Sequence, residues 1–235
     1  MTTTPRLFVA QPLDLGAVIE ASAGQTHYLR HVLRRNTGDR VRVFNGRDGE
    51  WQASITLAPR AGITFTVTAK LRPQAGDGDL WLAFAVLKRD ATDLVVQQGT
   101  ELGVAALWPV FTERTNTTRL TPSRLSAIAT EAAEQSERLT LPVLHPARKL
   151  PELIGAWPED RRLFVAVERS CAPKLRGTAG RAGLLIGPEG GFTPAELEAM
   201  RPHPFVTVVS LGPHILRAET ACVAGLAMLQ APGCR

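Results

Sequence analysis

Two stretches in the C-terminal third of the chain restrict its possible folds more than any other feature. Each contains an apolar strand, a loop rich in glycine and proline, and the start of a helix, and they lie around residues 184–192 and 210–221. Open α/β sheets bind ligands in a crevice at the carboxyl ends of their strands. The pattern therefore predicts a small-molecule site formed by two such loops on neighbouring parallel strands.

From residue 80 onward, strands alternate with helices, which is the pattern of a parallel α/β sheet. The predicted strands are 80–87, 107–111, 163–167, 184–186 and 206–211, and the predicted helices are 91–102, 122–138 and 219–229. One more helix begins at Thr193-Pro-Ala-Glu196, where threonine, proline and glutamate occupy the N-cap, first and third positions of a capping box.

The first 72 residues have a different pattern, in which short strands are separated by glycine-containing turns. Predicted strands at 6–9, 40–45, 50–57 and 63–71, with a helix at 25–33 capped by Ser22, indicate a small β-barrel or β-rich domain. Residues 73–79 are rich in proline, glycine and aspartate and are predicted to be a linker. We therefore expect domains at 1–72 and 80–235.

Basic residues are concentrated in the first third of the chain. Residues 1–76 contain 10 Lys and Arg against 5 Asp and Glu, whereas residues 77–235 contain 17 of each. The formal charge of +5 thus belongs to the N-terminal part, which favours a polyanionic partner there. The alternative is a generically basic protein whose arginines cover apolar surface.

Composition argues against several classes of protein. No run approaches the roughly 18 apolar residues of a membrane span, and the first eight residues lack the pattern of a signal peptide. The cysteines Cys171, Cys222 and Cys234 are scattered, without metal-ligand spacing, which fits a reducing compartment. We expect a cytoplasmic protein without a structural metal.

The loop Gly187-Pro-Glu-Gly-Gly191 lacks the features of a phosphate loop. It has neither the lysine of a Walker motif nor GxGxxG spacing, which disfavours a dehydrogenase or a kinase. Glu189 would repel phosphate, so a ligand with hydroxyl groups, an adenine edge or a positive charge fits better. The structural alternative is a tight turn in which Glu189 caps the next helix.

The second loop contains residues that a simple connection does not need. Ile215 and Leu216 are apolar in a loop, which is typical of burial against a ligand or another chain. Arg217 precedes a helix N-terminus, where a cation is mildly unfavourable, and this suggests an anion-binding role. Glu219 is favourable in the first helical turn, and that can be its whole role.

These loops and several shorter motifs resemble the SPOUT class of RNA methyltransferases, and more narrowly the small-subunit ribosomal RNA uridine-N3 methyltransferase family (RsmE). The other motifs are Arg6-Leu-Phe-Val9, Arg30-His-Val-Leu-Arg34, Gly38-Asp39, Val43-Phe-Asn-Gly46, Lys88 with Asp90, Gln97, Thr100-Glu-Leu-Gly103, Thr112-Glu-Arg114 and Glu131-Ala-Ala-Glu-Gln-Ser-Glu-Arg138. The chain departs from the family pattern at Gln98, where lysine is usual, at His214, where arginine is common, and at 117–124, which lacks a basic-aromatic stretch.

The resemblance implies a SPOUT-type parallel α/β sheet with a C-terminal trefoil knot, preceded by a small PUA-like β-barrel domain. It implies S-adenosylmethionine as cofactor and a homodimer with the cofactor site at the subunit interface. It also implies small-subunit ribosomal RNA as substrate, within an assembled or nearly assembled subunit. The residues that would bind the cofactor are Val167, Glu168, Gly187, Pro188, Glu189, Gly190, Gly191, Leu211, Gly212, Ile215, Leu216 and Arg217.

The implied reaction suggests catalytic roles. Uridine N3 must lose its proton before it attacks a sulfonium methyl group. Arg217 would stabilise the uracil anion at a carbonyl oxygen, or hold a phosphate. Glu189 or Glu219 would be the base. RNA would be contacted by Arg6, Arg30, Arg34, Arg35, Arg42 and Arg47. Arg114 and Arg138 would contact RNA or the active site, with a salt bridge to a partner as the alternative role of each. The alternative function is a non-catalytic RNA-binding or ribosome-assembly factor with a degenerate α/β domain, which would bind no cofactor.

Overall fold

The structure, a computed structural model, describes residues 4–58, 62–76, 78–117, 119–168, 171–178 and 180–231. It divides into two compact units. The first contains Met1–Asp77 together with Ala133–Leu141, and the second contains Gly78–Ala132 and Pro142–Arg235. The short segment Ala133–Leu141 thus folds with residues that lie far from it in the sequence.

The first unit is built on a five-stranded sheet, and the sequence predicted four of its strands. The strands are β1 (Arg6–Phe8), β2 (Val18–Glu20), β3 (Arg40–Phe44), β4 (Glu50–Ala58) and β5 (Gly62–Arg72), in the order β1-β3-β4-β5-β2. Alternate residues along β3 to β5, among them Val41, Ile55 and Phe65, are buried in one hydrophobic cluster, because successive side chains point to opposite faces. The sequence did not predict β2.

The predicted helix at 25–33 is present, but it changes its winding halfway. Helix α1 (Ala23–His27) begins at Ser22, whose hydroxyl accepts from the backbone N–H of Gln25 in a complete capping box. The chain then continues as a π-helical turn over Tyr28–Val32. Such wide turns are rare and recur at functional sites. Leu29 is buried in the sheet cluster and anchors the turn.

The second unit contains a sheet of seven parallel strands. They are β6 (Leu80–Ala85), β7 (Ala106–Phe111), β8 (Val143–Leu144), β9 (Arg148–Lys149), β10 (Arg162–Ala166), β11 (Ala182–Ile186) and β12 (Val206–Val209). Their order is β12-β10-β11-β6-β7-β8, and β9 also pairs with β7. The alternation of strands and helices predicted this parallel sheet, although β8 and β9 were not foreseen.

Helices cover both faces of this sheet. They are α2 (Arg89–Glu101), α3 (Pro122–Gln135), α4 (Leu150–Gly155), α5 (Pro194–Met200) and α6 (Ala218–Gln230). Two separate hydrophobic clusters result, which is why strand residues such as Leu184 and Leu185 are both buried. Helix α6 packs so closely on β11 that a Cβ atom at Gly225 would lie 2.6 Å from a methyl carbon of Leu184.

The strand order corrects one expectation. Strands β11 and β12, which carry the two glycine- and proline-rich loops, are not neighbours, because β10 lies between them and pairs with both. The loop after β10 therefore lies between the other two loops. None of the helices described between residues 4 and 231 is long and apolar enough to cross a membrane.

Candidate active site

Three loops at the carboxyl ends of β10, β11 and β12 enclose a cavity of about 420 Å³. This volume lies within the range of about 300–1,000 Å³ that is typical of small-molecule sites. The lining residues are Ala166, Val167, Glu168, Ile186, Gly187, Pro188, Glu189, Gly190, Gly191, Phe192, Ser210, Leu211, Gly212, His214, Ile215, Leu216, Ala218 and Ala221. The structure thus brings together every predicted cofactor-binding residue except Arg217.

The loop after β11 has a defined shape. The backbone N–H of Gly191 donates to the carbonyl oxygen of Pro188 at 2.8 Å, and Gly191 has a φ of 67°, which favours glycine. The ring of Phe192 lies over Gly187, where a Cβ atom would be 3.0 Å from the nearest ring carbon. Thr193 is the N-cap residue of helix α5. Glu189 is therefore not the helix cap, and its exposed side chain lines the cavity.

The loop after β12 supplies an apolar wall. Ser210 Oγ accepts from the backbone N–H of Gly212 at 3.2 Å, and Gly212 has a φ of 135°. Ile215 and Leu216 line the cavity, and Ile215 is 55% exposed. A large exposed apolar side chain on a cavity wall supports the interpretation that this loop covers a ligand.

Arg217 occupies the N-cap position of α6, and its side chain makes no capping hydrogen bond. The side chain is exposed, and it is not among the residues that line the cavity, although Leu216 and Ala218 on either side are. Glu219 is half-buried in the first turn of α6. Of the three residues predicted to take part in catalysis, Glu189 alone lines the cavity.

The loop after β7 holds the loop after β11 from outside the cavity. Arg114 Nη1 donates to the carbonyl oxygen of Gly190 at 2.6 Å, and the backbone N–H of Glu113 donates to Glu196 Oε1 at 2.9 Å. The sequence indicated Glu196 as part of a capping box, which the structure confirms. Its second bond was missed, because nothing local indicates that residues 83 positions apart meet.

Burial argues against two of the predicted RNA-binding residues, Arg6 and Arg138, because their side chains lie inside the first unit. Arg6 is 7% exposed; its Nε donates to Glu50 Oε1 at 2.5 Å and its Nη1 to the carbonyl oxygen of Ala133 at 2.7 Å. Arg138 is 6% exposed, and its Nη2 donates to Thr140 Oγ1 at 3.1 Å. A buried guanidinium whose donors are used internally is poorly placed to reach an RNA phosphate, which favours a structural role for both residues.

A third predicted RNA contact, Arg42, is half-buried and paired. Its Nη2 donates to Glu137 Oε1 at 2.8 Å, and this bond lowers the pKa of the Glu137 carboxyl group. Glu137 itself has a φ of 59°, an uncommon conformation for a residue with a side chain. The predicted helix 122–138 accordingly stops at Gln135. Arg42 can offer only part of its guanidinium to a ligand.

Three of the remaining candidates in the first unit belong to one segment. Arg30 and Arg35 are half-buried and Arg34 is exposed, and all three lie in or directly after the π-helical turn. The same segment exposes Tyr28, and the rings of His27 and His31 lie 5.0 Å apart. Basic and aromatic side chains on one exposed segment are suited to RNA phosphates and bases.

The sheet and its three-loop cavity define a known class. The sequence model of the RNA methyltransferase domain matches residues 75–230, and that of the RNA methyltransferase PUA domain matches residues 22–68. The chain belongs to this family of RNA methyltransferases.

Individual relatives narrow the family. The chain is 30% identical over 236 residues to the ribosomal RNA small subunit methyltransferase E of Rickettsia conorii, covering 97% of this chain and 96% of that protein. It is 34% identical over 244 residues to the protein of the same name from Synechocystis sp., covering 96% of this chain and 77% of the other. The chain therefore belongs to the ribosomal RNA small subunit methyltransferase E family, as its motifs predicted.

Solved structures agree with this. A methyltransferase from Legionella pneumophila, solved with bound SAM, has a TM-score of 0.89 at 27% identity, over 98% of each chain. The ribosomal RNA small subunit methyltransferase E of Neisseria gonorrhoeae, bound to S-adenosyl methionine, has a TM-score of 0.86 at 27% identity, over 96% of each chain. The predicted SPOUT-type sheet with a PUA domain is confirmed.

Proposed function

We propose that this protein transfers a methyl group from S-adenosylmethionine to N3 of a uridine in small-subunit ribosomal RNA. The observation that carries the proposal is the cavity formed by the loops after three adjacent parallel strands, in a chain that belongs to the methyltransferase E family. The ribosomal substrate follows from the names of the relatives, and the atom N3 follows from the resemblance to the uridine-N3 methyltransferases.

The lining of the cavity fits this cofactor. Ile186, Leu211 and Leu216 offer apolar surface to an adenine ring, and backbone groups of the glycine-rich loop can bond its edge. The carboxyl groups of Glu168 and Glu189 favour a ligand that carries positive charge, such as a sulfonium or an ammonium group. The cofactor, when bound, supplies an electrophilic methyl group.

The side chains of the chain then prepare the nucleophile. The N3–H of uracil must lose its proton, and we propose Glu189 as the base, with Glu219 as the alternative. We propose that Arg217 stabilises the resulting negative charge at a carbonyl oxygen of uracil. Because opposite charges cancel as the methyl group is transferred, exclusion of water by Ile215 and Leu216 favours the reaction.

RNA binding is proposed for the arginines whose side chains remain accessible. These are Arg30, Arg34, Arg35 and Arg47 in the first unit, with a partial contribution from Arg42, and Arg114 in the second unit. Phosphate contacts of this kind would position the RNA without reading its sequence. We propose residues 1–72 as the RNA-binding domain and 80–235 as the methyltransferase domain, joined by 73–79, with the segment Ala133–Leu141 folded into the first unit.

Four further features belong to the proposal. We infer a homodimer with the cofactor site at the subunit interface, a trefoil knot around the cavity loops, a cytoplasmic location, and an assembled or nearly assembled ribosomal subunit as substrate. The parallel bridge between Lys174 and Ser210 supports the knot, since it holds the long loop after β10 beside the loop after β12. The homodimer and the assembled subunit rest on the family, and the cytoplasmic location rests on the scattered cysteines of the sequence.

The first test is calorimetric titration of the purified protein with S-adenosylmethionine and S-adenosylhomocysteine. We expect both compounds to bind. With S-adenosylmethionine, the protein should then methylate a uridine in small ribosomal subunits that lack this modification. A non-catalytic assembly factor would bind neither compound, with or without RNA. That result would mean that the cavity loops have no role in methyl transfer.

A further inference from the structure

The loop after β7, residues 112–115, does not line the cavity, yet it is bonded to the loop that does. Arg114 contacts Gly190 twice, through the hydrogen bond from Nη1 to the carbonyl oxygen and through its methylene groups; a Cβ atom at Gly190 would lie 3.3 Å from Arg114 Cδ. The loop is itself closed by hydrogen bonds, since the backbone N–H of Thr112 donates to Thr115 Oγ1 at 3.0 Å and that of Thr115 to the carbonyl oxygen of Thr112 at 3.1 Å. A closed loop thus holds the cavity loop from behind.

Glu196 makes the second connection between these loops, and its two carboxylate oxygens have different partners. Oε2 accepts from the backbone N–H of Thr193 at 2.8 Å, which is the ordinary bond of a capping box. Oε1 accepts from the backbone N–H of Glu113 at 2.9 Å, and this bond has no part in helix capping. Glutamine serves equally well in a capping box. The bond that Oε1 accepts from Glu113 is therefore the one that requires the second oxygen of a carboxylate.

The burial of Glu196 strengthens both bonds. Its side chain is 8% exposed, and hydrogen bonds to a carboxylate in such surroundings are stronger than those between neutral groups. The carboxylate therefore fixes Thr193, at the end of the cavity loop, relative to Glu113, in the closed loop. With Arg114 holding Gly190, the cavity loop is attached at two points to the same neighbour.

We propose that Glu196 is a positioning residue for the cofactor site, which holds the loop 187–193 in its binding conformation through Glu113, with Arg114 as the second point of attachment. This inference rests on the proposed function of the cavity. A loop that is already ordered before the ligand arrives does not lose conformational freedom on binding, so the connection acts on cofactor affinity. It does not act on the chemical step.

The substitution Glu196→Gln tests this directly. The glutamine oxygen can keep the capping-box bond, but its amide group cannot accept from the N–H of Glu113. Since a lost hydrogen bond to a charged group is costly, we expect the Kd for S-adenosylhomocysteine to rise roughly tenfold. The KM for S-adenosylmethionine should rise by the same factor, while the KM for RNA and the kcat at saturating cofactor stay within about twofold.

Thr193→Ala is the matched control, because it breaks the other half of the capping box. It removes the hydroxyl that accepts from the backbone N–H of Glu196, and it leaves both carboxylate bonds in place. We expect a lower Tm, as for other lost caps, with a Kd for S-adenosylhomocysteine within about twofold of wild type. If Thr193→Ala and Glu196→Gln weakened binding equally, Glu196 would act only through the start of α5, and the proposal would be wrong.

Arg114→Ala provides a second variant that leaves α5 untouched and lies on the surface. We expect it to weaken binding of S-adenosylhomocysteine in the same direction, and the double variant to lose less than the product of the two effects, because both attach one loop. If Glu196→Gln does not fold, an unchanged affinity in Arg114→Ala overturns the proposal. If the wild-type protein binds no S-adenosylhomocysteine, the proposed function is wrong as well. If both variants bind it with wild-type affinity, this inference alone is wrong.

Discussion

The two glycine- and proline-rich loops of the cavity are held to different degrees. The loop after β11 is fixed by the Gly191–Pro188 turn, by Phe192 on Gly187, by the capping box and by Arg114. The loop after β12 has the bonds of Ser210 at its start and the helix at its end. Within the part of the chain that the structure describes, no side chain of another element holds residues 213–216 by a hydrogen bond.

This difference suggests a division of labour between the two loops. A loop with many internal bonds presents a finished surface to a ligand, whereas a loop with few bonds and exposed apolar residues gains contacts when the ligand arrives. We therefore expect the loop after β11 to set cofactor affinity through its shape. The loop after β12 should contribute through closure, and it should carry Arg217 toward the reacting groups.

The largest effect is expected at the end of the loosely held loop. Arg217→Ala should lower kcat by roughly 10²- to 10³-fold, the usual loss when one donor to a developing charge is removed. Its side chain does not line the cavity, so the Kd for S-adenosylhomocysteine should stay within about threefold. Single-turnover methylation and calorimetry measure the two quantities separately.

The opposite pattern for Arg217→Ala would assign this residue to cofactor binding. In that outcome cofactor affinity would fall while the single-turnover rate at saturating cofactor was kept, and Glu189 would remain the sole catalytic candidate on the cavity wall. Arg217→Lys is the appropriate control, because it retains the positive charge but loses the planar set of donors.

Gly191 and Gly212, which both have a positive φ, allow the two loops to be compared. Their φ angles are 67° and 135°, and a Cβ atom at either position meets no other atom within 4 Å, so substitution by alanine changes only backbone preference. The loop after β11 is held by many contacts and cannot relax the backbone strain of an alanine. Gly191→Ala should therefore lower the free energy of unfolding by about 1–2 kcal/mol. Chemical denaturation measures this loss.

Gly212→Ala should behave differently, because the loop after β12 can relax when no ligand is bound. We expect the free energy of unfolding to change by less than about 0.5 kcal/mol, since the smaller entropy of the unfolded chain offsets the remaining strain. The binding conformation must still be reached, so the Kd for S-adenosylhomocysteine should rise roughly tenfold. Equal losses of stability in the two variants would show that the loops are held alike.

Local patterns in the sequence predicted the elements and much of the cavity. Apolar runs and capping residues gave the strands and the starts of helices at Ser22 and Thr193, because such signals act within a few residues. The glycines of the first loop and the apolar pair Ile215 and Leu216 indicated the cavity for the same reason. These features depend on neighbours in the chain.

Features that depend on distant partners were not predictable in this way. The position of β10 between β11 and β12 follows from pairing across the sheet, which short patterns do not specify. Arginine is usually a surface residue, and the burial of Arg6 depends on Glu50 and on carbonyl oxygens beyond residue 130. The bond from Glu113 to Glu196 joins two loops that the sequence presents as unrelated.

The smallest effect is expected from Ile215→Ala, and it has a close control in Val143→Ala. The two residues are 55% and 58% exposed, but only Ile215 lines the cavity, since Val143 belongs to β8. Truncating half-exposed apolar side chains should change the free energy of unfolding of both variants by less than about 1 kcal/mol. If a ligand covers the exposed half of Ile215, its loss should cost about 1 kcal/mol of binding, or roughly a fivefold rise in Kd, while Val143→Ala binds as wild type. An unchanged Kd in Ile215→Ala would mean that the loop after β12 does not close over the cofactor. The proposed division of labour between the two loops would then be wrong.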